Sequence, residues 1–303
     1  MAISLYKKLA WFDGGAAAFE RTFPGVLREI LADDAPRYVC PLCDEPFRRE
    51  AVLSGDLTAE HVPPDSFGGR ELLLTCRVCN NTAGTSVDGH ARKRENIAEA
   101  KIGNVAQRLA VRIELLDVKL QARLEPSASG AQLEISKANN NPAALESLQK
   151  VGVIPAGTPL TIEFVRDRYS ELRANISWLR SGFLALFSII GYEFSFDPAI
   201  RIVKEQLRSP NKRLIDCFTI SPRGSVASNW VLVEISDPHC TAVMFGPYVV
   251  ILPPPRDLDF YQRVAEDARA QEAGAPRRTT KVLQTIALTR WEPVFSVEIP
   301  DSL

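Results

Sequence analysis

Apolar positions in this chain change period twice, and the changes predict its elements. Over residues 5–31 they recur at helical spacing: Leu5, Leu9 and Phe12 share a face, Asp13-Gly14-Gly15 reads as a break, and Phe19 to Leu31 predicts a second short helix with Pro24 near its start. Phe47 to Leu53 and Leu57 to Val62, separated by Ser54-Gly55-Asp56, predict a hairpin. Leu72 to Thr75 is a short apolar strand running into Cys76. Asn80 then caps a helix that carries Val87, Asp88 and His90, is weakened at Gly84, and continues to about Leu109.

From Val111 the period becomes two. VRIELLDVKLQARL alternates apolar and polar positions, SASG makes a turn, and AQLEI answers as a partner strand. Asn139-Asn140-Asn141-Pro142 starts a helix through Ala143 to Lys150 that Gly152 ends, and Thr158 to Val165 reads as a strand. Period 3.6 returns from Leu172 to Ile190, where Ile176, Leu179, Phe183, Leu186 and Ile190 form a stripe that Leu184 and Phe187 widen; this is the expected central core helix. Its aromatics, from Trp178 to Tyr192, are spaced as core. Further strands are expected at Leu214 to Ile220, Trp230 to Ile235, Thr241 to Leu252, Lys281 to Leu288 and Val294 to Ile299, with a helix from Leu258 to about Glu272. The prolines at 253–255 and AGAPRR at 273–278 read as connectors. The pattern predicts an α+β protein with an N-terminal domain over 1–109 and a C-terminal domain over 110–303, the latter of mixed helices and antiparallel strands around a central buried helix.

Composition narrows the class without naming it. With 46% hydrophobic and 24% charged residues the chain is ordinary globular material, and its formal net charge of -1 supplies no globally basic face for nucleic acid. The longest apolar run, Gly182 to Gly191, is about half of a membrane span, and no signal-peptide run follows the first lysines, so a cytoplasmic protein with no membrane partner is expected. In a reducing compartment two C-x2-C pairs are metal ligands rather than disulfides. Cys217 and Cys240 have no such neighbour and are expected as buried thiols; His239-Cys240 has no partner pair and predicts no second metal site.

The chemistry concentrates between Cys40 and His90, which holds four of the six cysteines and two of the three histidines. Cys40, Cys43, Cys76 and Cys79 make two C-x2-C pairs, a set that suits a closed tetrahedral zinc site with a structural role. Glu60 and His61 lie in the loop between the pairs and precede Pro63-Pro64. On an extended strand they face opposite ways, and a turn at the strand end lets one hold a metal while the other meets a substrate.

The set E-H-x-P-P at 60–64, G-G at 68–69, L-L-L-T-C-x-x-C-N-N at 72–81, then Gly84 and a later D-x-H, resembles the HNH endonucleases, in the branch whose ββα-metal fold is held by a four-cysteine zinc. The resemblance covers roughly residues 36–95. It implies that Glu60 and Asn80 hold a catalytic divalent cation, that His61 is the general base, and that the substrate is a DNA phosphodiester. Oxygen-rich ligation implies Mg2+ or Mn2+ there. Where the family has its middle Asn this chain has Glu71, so Glu71, a backbone carbonyl or Asn81 is expected to orient the base. Asp88 and His90 are candidates for support of the metal and for phosphate contact, each with a plain helix-end role as the alternative. Arg77, Arg92, Lys93 and Arg94 are candidate phosphate contacts or a solvated charge run. The C-terminal domain is expected to select substrate, dimerise or bind a protein partner, and the family's usual settings suggest defence against foreign DNA. The competing expectation is a non-catalytic four-cysteine zinc adaptor for nucleic acid or protein.

Overall fold

The computed structural model describes residues 3–101, 108–127, 130–155, 157–164, 169–220, 231–236, 239–246, 248–273 and 282–287. It is a mixture of helices and antiparallel sheets, as the α+β expectation required. No helix among the described residues is long and apolar enough to cross a membrane.

The chain begins with helix α1 (Leu5–Thr22), capped by Ser4, whose hydroxyl accepts from Lys7 N. The expected break at Asp13-Gly14-Gly15 does not occur: α1 runs through it, because Trp11, Phe12, Ala16 and Phe19 bury one face and that packing outweighs the low helix propensity of two glycines. Helix α2 (Val26–Leu31) follows, then a short pair of strands, β1 (Tyr38–Val39) and β2 (Pro46–Phe47). The hairpin expected between Phe47–Leu53 and Leu57–Val62 is also corrected. Glu50–Ser54 is a single turn of helix, α3, ended by Gly55 at φ 76°, and strand β3 (Leu57–Val62) pairs instead with β4 (Arg70–Cys76). The apolar residues of 47–53 sit at helical as well as strand spacing, and a five-residue element carries too little pattern to decide.

Helix α4 (Arg77–Ala83) starts directly from β4, so its cap is Cys76 rather than the expected Asn80: the Cys76 sulfur accepts from Cys79 N. It continues through a π turn (Gly84–Asp88) into α5 (Gly89–Lys101), so the predicted continuity past Gly84 holds. The expected end near Leu109 does not, since Leu109 opens a strand.

That strand, β5 (Leu109–Leu115), pairs with β6 (Val118–Ser127), and β7 (Gly130–Glu134) pairs with β6, as the alternation predicted. Helix α6 (Pro142–Val151) is capped by Asn141, and β8 (Leu160–Phe164) closes the sheet in the order β7-β6-β5-β8. Helix α7 (Glu171–Ile190) has Leu179, Phe183, Leu184 and Phe187 fully buried, which makes it the central core helix expected. After it come α8 (Tyr192–Ser195), α9 (Arg201–Arg208), β9 (Thr219–Ile220), β10 (Val231–Ser236), β11 (His239–Phe245), β12 (Tyr248–Leu252), α10 (Phe260–Glu272) and β13 (Val282–Ala287). The expected single strand Thr241 to Leu252 is two, turned at Gly246 (φ 55°), and the expected strand over Val294–Ile299 lies outside the described residues.

The chain divides into two compact units at places other than the boundary expected after residue 109. One comprises 1–89 with 172–303, and the other comprises 90–171. The first has one hydrophobic core, in which Phe12, Tyr38, Leu57 and Leu74 are buried with Phe183 of α7, Val250 of β12 and Phe260 of α10. Gly182 makes this packing close: a Cβ there would lie 2.6 Å from Val250 Cγ1. The second unit has its own core of Val111, Ile113, Leu120, Ala122 and Leu124 with α6 residues packed on it. Both ends of the 90–171 stretch are joined by the Ser170 amide, which donates to His90 Nδ1 at 3.0 Å.

Candidate functional site

The first site is the four-cysteine centre. Strand β1 delivers Cys40, and a tight turn brings Cys43 back: Asp44 N donates to Cys40 O and Cys40 N to Glu45 O, both at 2.9 Å, with Asp44 in the left-handed region at φ 67°. Cys76 ends β4, and Cys79 sits one turn into α4. The four sulfurs lie within 4.8 Å of one another, and Cys43 Sγ and Cys76 Sγ are 3.7 Å apart. A tetrahedral zinc with Zn–S bonds of about 2.3 Å sets its sulfurs ~3.8 Å apart, so the four cysteines are placed to bind one such ion and leave no ligand position open. The amide of Cys76 points at Cys40 Sγ (3.4 Å), a donor that favours thiolate. Helix α9 supports the first knuckle from outside. Lys204 Nζ (2.5 Å) and Arg208 Nη2 (2.8 Å) donate to Asp44, and Arg208 donates twice to Leu42 O. Lys204 is only 5% exposed, and burial holds its pKa below the usual lysine value against the pull of Asp44.

The second feature lies on one face of β3. Thr58 and Glu60 are two apart and share that face. Asn80, in the first turns of α4, donates through Nδ2 to Thr58 Oγ1 (3.1 Å) and to Ala59 O (3.4 Å), which fixes the helix residue against the strand beside Glu60. Thr75, opposite Thr58 in the ladder, donates to Glu60 Oε2 at 2.9 Å. Arg180 from α7 completes the set: Nη1 donates to Glu60 Oε1 (3.0 Å) and Nη2 to Oε2 (2.6 Å). Glu60 is 3% and Arg180 4% exposed, so this is a buried, forked ion pair. Asp88 accepts from Ser177 Oγ (2.6 Å), and its carboxyl pKa is raised, chiefly by burial, with Arg180 opposing and Glu60 adding to the rise. Glu60 is thus bound by the guanidinium, and Asp88 by Ser177 three residues earlier on the same helix.

Comparison of the chain with family models, curated proteins and solved structures gives no match.

His61 is placed differently from its neighbour. A bulge falls between Glu60, opposite Leu73, and His61, opposite Glu71, so Leu72 is the extra residue and the strict alternation stops there. The imidazole is 36% exposed, with Nε2 3.8 Å from Asp65 Oδ1. The loop beyond it is fixed by backbone contact: Val62-Pro63 is cis, and a Cβ on Gly69 would lie 1.5 Å from Pro63 O, so only glycine fits at that position of the G-G pair. Glu71, opposite the histidine, accepts from Ile3 N at 2.7 Å.

The other candidates are dispersed. Asn81 is exposed and its carbonyl accepts from Thr85. Arg77 pairs with Asp56 at 2.8 Å on the surface. His90, Arg92, Lys93 and Arg94 belong to the second unit, where His90 holds Ser170 and Arg94 pairs with Glu95 and Glu171. Among the described residues, the four cysteines are the one group of three or more His, Cys, Asp or Glu side chains close enough to share an ion. Sequence reasoning missed Arg180, Ser177 and Thr75. For Arg180 a signal exists: an arginine one residue past Leu179 in a helix apolar nearly all round needs a buried partner.

Proposed function

We propose that the chain is a metal-dependent endonuclease of the HNH type that hydrolyses phosphodiester bonds of DNA. The observation that carries the reading is the bonding of Asn80 to β3 at Thr58 and Ala59. It ties the residue after the last cysteine to the strand that carries Glu60, across some twenty positions of sequence and through the order strand, strand, helix that the ββα-metal resemblance implies. In this reading the four cysteines hold a structural zinc that ties β1 to the β4–α4 junction. Asn80 and Glu60, with Asp88 in support, hold the catalytic Mg2+ or Mn2+, which when bound stabilises charge on the phosphate. His61, half-exposed at the bulge, takes the proton from the attacking water, and Asp65 is the nearest acid on its Nε2 side. Glu71 occupies the register position opposite the base, where the family's middle Asn is expected, and its carboxylate is turned to Ile3.

The forked bond from Arg180 to Glu60 favours a second reading, the non-catalytic zinc adaptor, because it already satisfies much of the carboxylate a cation needs. A plasmid-nicking assay with Mg2+ or Mn2+ separates them. The nuclease nicks, and His61→Ala abolishes nicking while zinc content and circular dichroism stay at wild-type values. Absence of metal-dependent cleavage by the wild type selects the adaptor.

A further inference from the structure

Helix α7 stands about a hundred residues beyond the motif and on the far side of the 90–171 unit in sequence, yet it delivers a cation to the motif's own acid. We infer that Arg180 is a further residue of the proposed cation site: it is the internal counter-cation of Glu60, and a divalent ion binds there only in competition with its guanidinium. This rests on the nuclease reading for the existence of the site and adds what governs its loading.

A carboxylate offers about four acceptor positions. Arg180 takes one on each oxygen and Thr75 a second on Oε2, so Oε1 retains the single position left to a metal. An ion at that position lies against a guanidinium that burial keeps from being screened. A second carboxyl group, Asp88, is held by Ser177, three residues before Arg180 on the same helix. Space for the exchange adjoins it: a pocket of about 240 Å3 is lined by Arg180 together with Cys79, Thr82, Ser86, Val87 and Ile176. A guanidinium that leaves Glu60 for this pocket stays beside Cys79 of the four-cysteine centre, which lines the same pocket. The arginine therefore has two acceptable negative neighbours, and the metal decides between them.

Two measurements on the full-length zinc-loaded protein test this. The first is Mn2+ affinity by electron paramagnetic resonance in wild type and Arg180→Gln. At least ten-fold tighter binding by the variant, abolished when Glu60→Gln is added, is the expected result; equal or weaker binding overturns the proposal. The second needs no variant to fold. In side-chain 15N spectra of the wild type, Mg2+ is expected to collapse the distinct Nη signals that a forked arginine shows, and their persistence at saturating Mg2+ overturns it. The nuclease reading fails separately: tighter Mn2+ binding in the variant without nicking by either protein sinks the enzyme and leaves the competition standing, whereas nicking with unchanged affinity does the reverse.

Discussion

A few residues do more than their types suggest. Gly69 permits the loop after His61 to close on Pro63, and any side chain there meets a backbone carbonyl that cannot move aside. Gly69→Ala is expected to cost about 1–3 kcal/mol, as overpacking does, and to reduce nicking more than the stability loss explains, read from thermal melts beside initial rates. Wild-type nicking by that variant would detach the loop from the site. Asp88 illustrates the opposite case. Its folded-state pKa is raised by burial, so the folded protein holds its proton more tightly than the unfolded chain does. Stability therefore falls as pH rises through the folded value, and the charged form is a cost at neutral pH. Asp88→Asn keeps an oxygen for Ser177 and is expected to raise the melting temperature at pH 7 in cation-free buffer; a lower value would show that Asp88 stabilises as an anion through Arg180.

At the scale of elements, β3, β4 and α4 form the frame, and cysteines of the metal-binding cluster stand at its joints. Cys76 ends a strand, caps a helix and contributes a sulfur, so loss of the ion loosens three things together. Structural zinc in small modules supplies roughly 10–16 kcal/mol of apparent binding energy at pH 7. Chelation, or Cys43→Ser, is accordingly expected to lower the melting temperature steeply and to expose the first knuckle and α9 to hydrogen exchange, since Asp44 links them through Lys204 and Arg208. Protection in α9 that survives zinc removal would refute the link. The fold was legible in the sequence where a spacing repeats, as in the two C-x2-C pairs and, in the other unit, the alternating 111–124 stretch. It was misread at 47–53 because a strand and one helical turn differ little over so few positions, and the partner of β3 is chosen by the loop that Gly69 closes.

The whole molecule is an interrupted one. Residues 90–171 have a core of their own, and the core of the other unit draws on residues from both sides of that stretch. Asp88 and Ser177 touch across the gap, so the ends to be joined are already near. Replacing 90–171 by a short Gly/Ser linker is expected to leave one cooperative unfolding transition with full zinc content, measured by calorimetry and metal analysis. Loss of folding in that deletion would show that the units are not independent. By contrast, the first 109 residues alone lack α7 and are expected to be unstable, because Glu60 would lose its cation and Phe12, Tyr38 and Leu74 their cover.

What the sequence by itself determined was local: the four-cysteine cluster, the capped helix at Asn141-Pro142, the alternating strands and the apolar α7, each set by spacing within a window of some ten to forty residues. Only the tertiary structure decided that α7 belongs with the N-terminal motif, that α1 runs through its glycines, and that Glu60 is bound to Arg180. These depend on which surfaces bury one another and on where a buried charge finds its opposite, and contacts between residues more than a hundred positions apart leave no period in the chain.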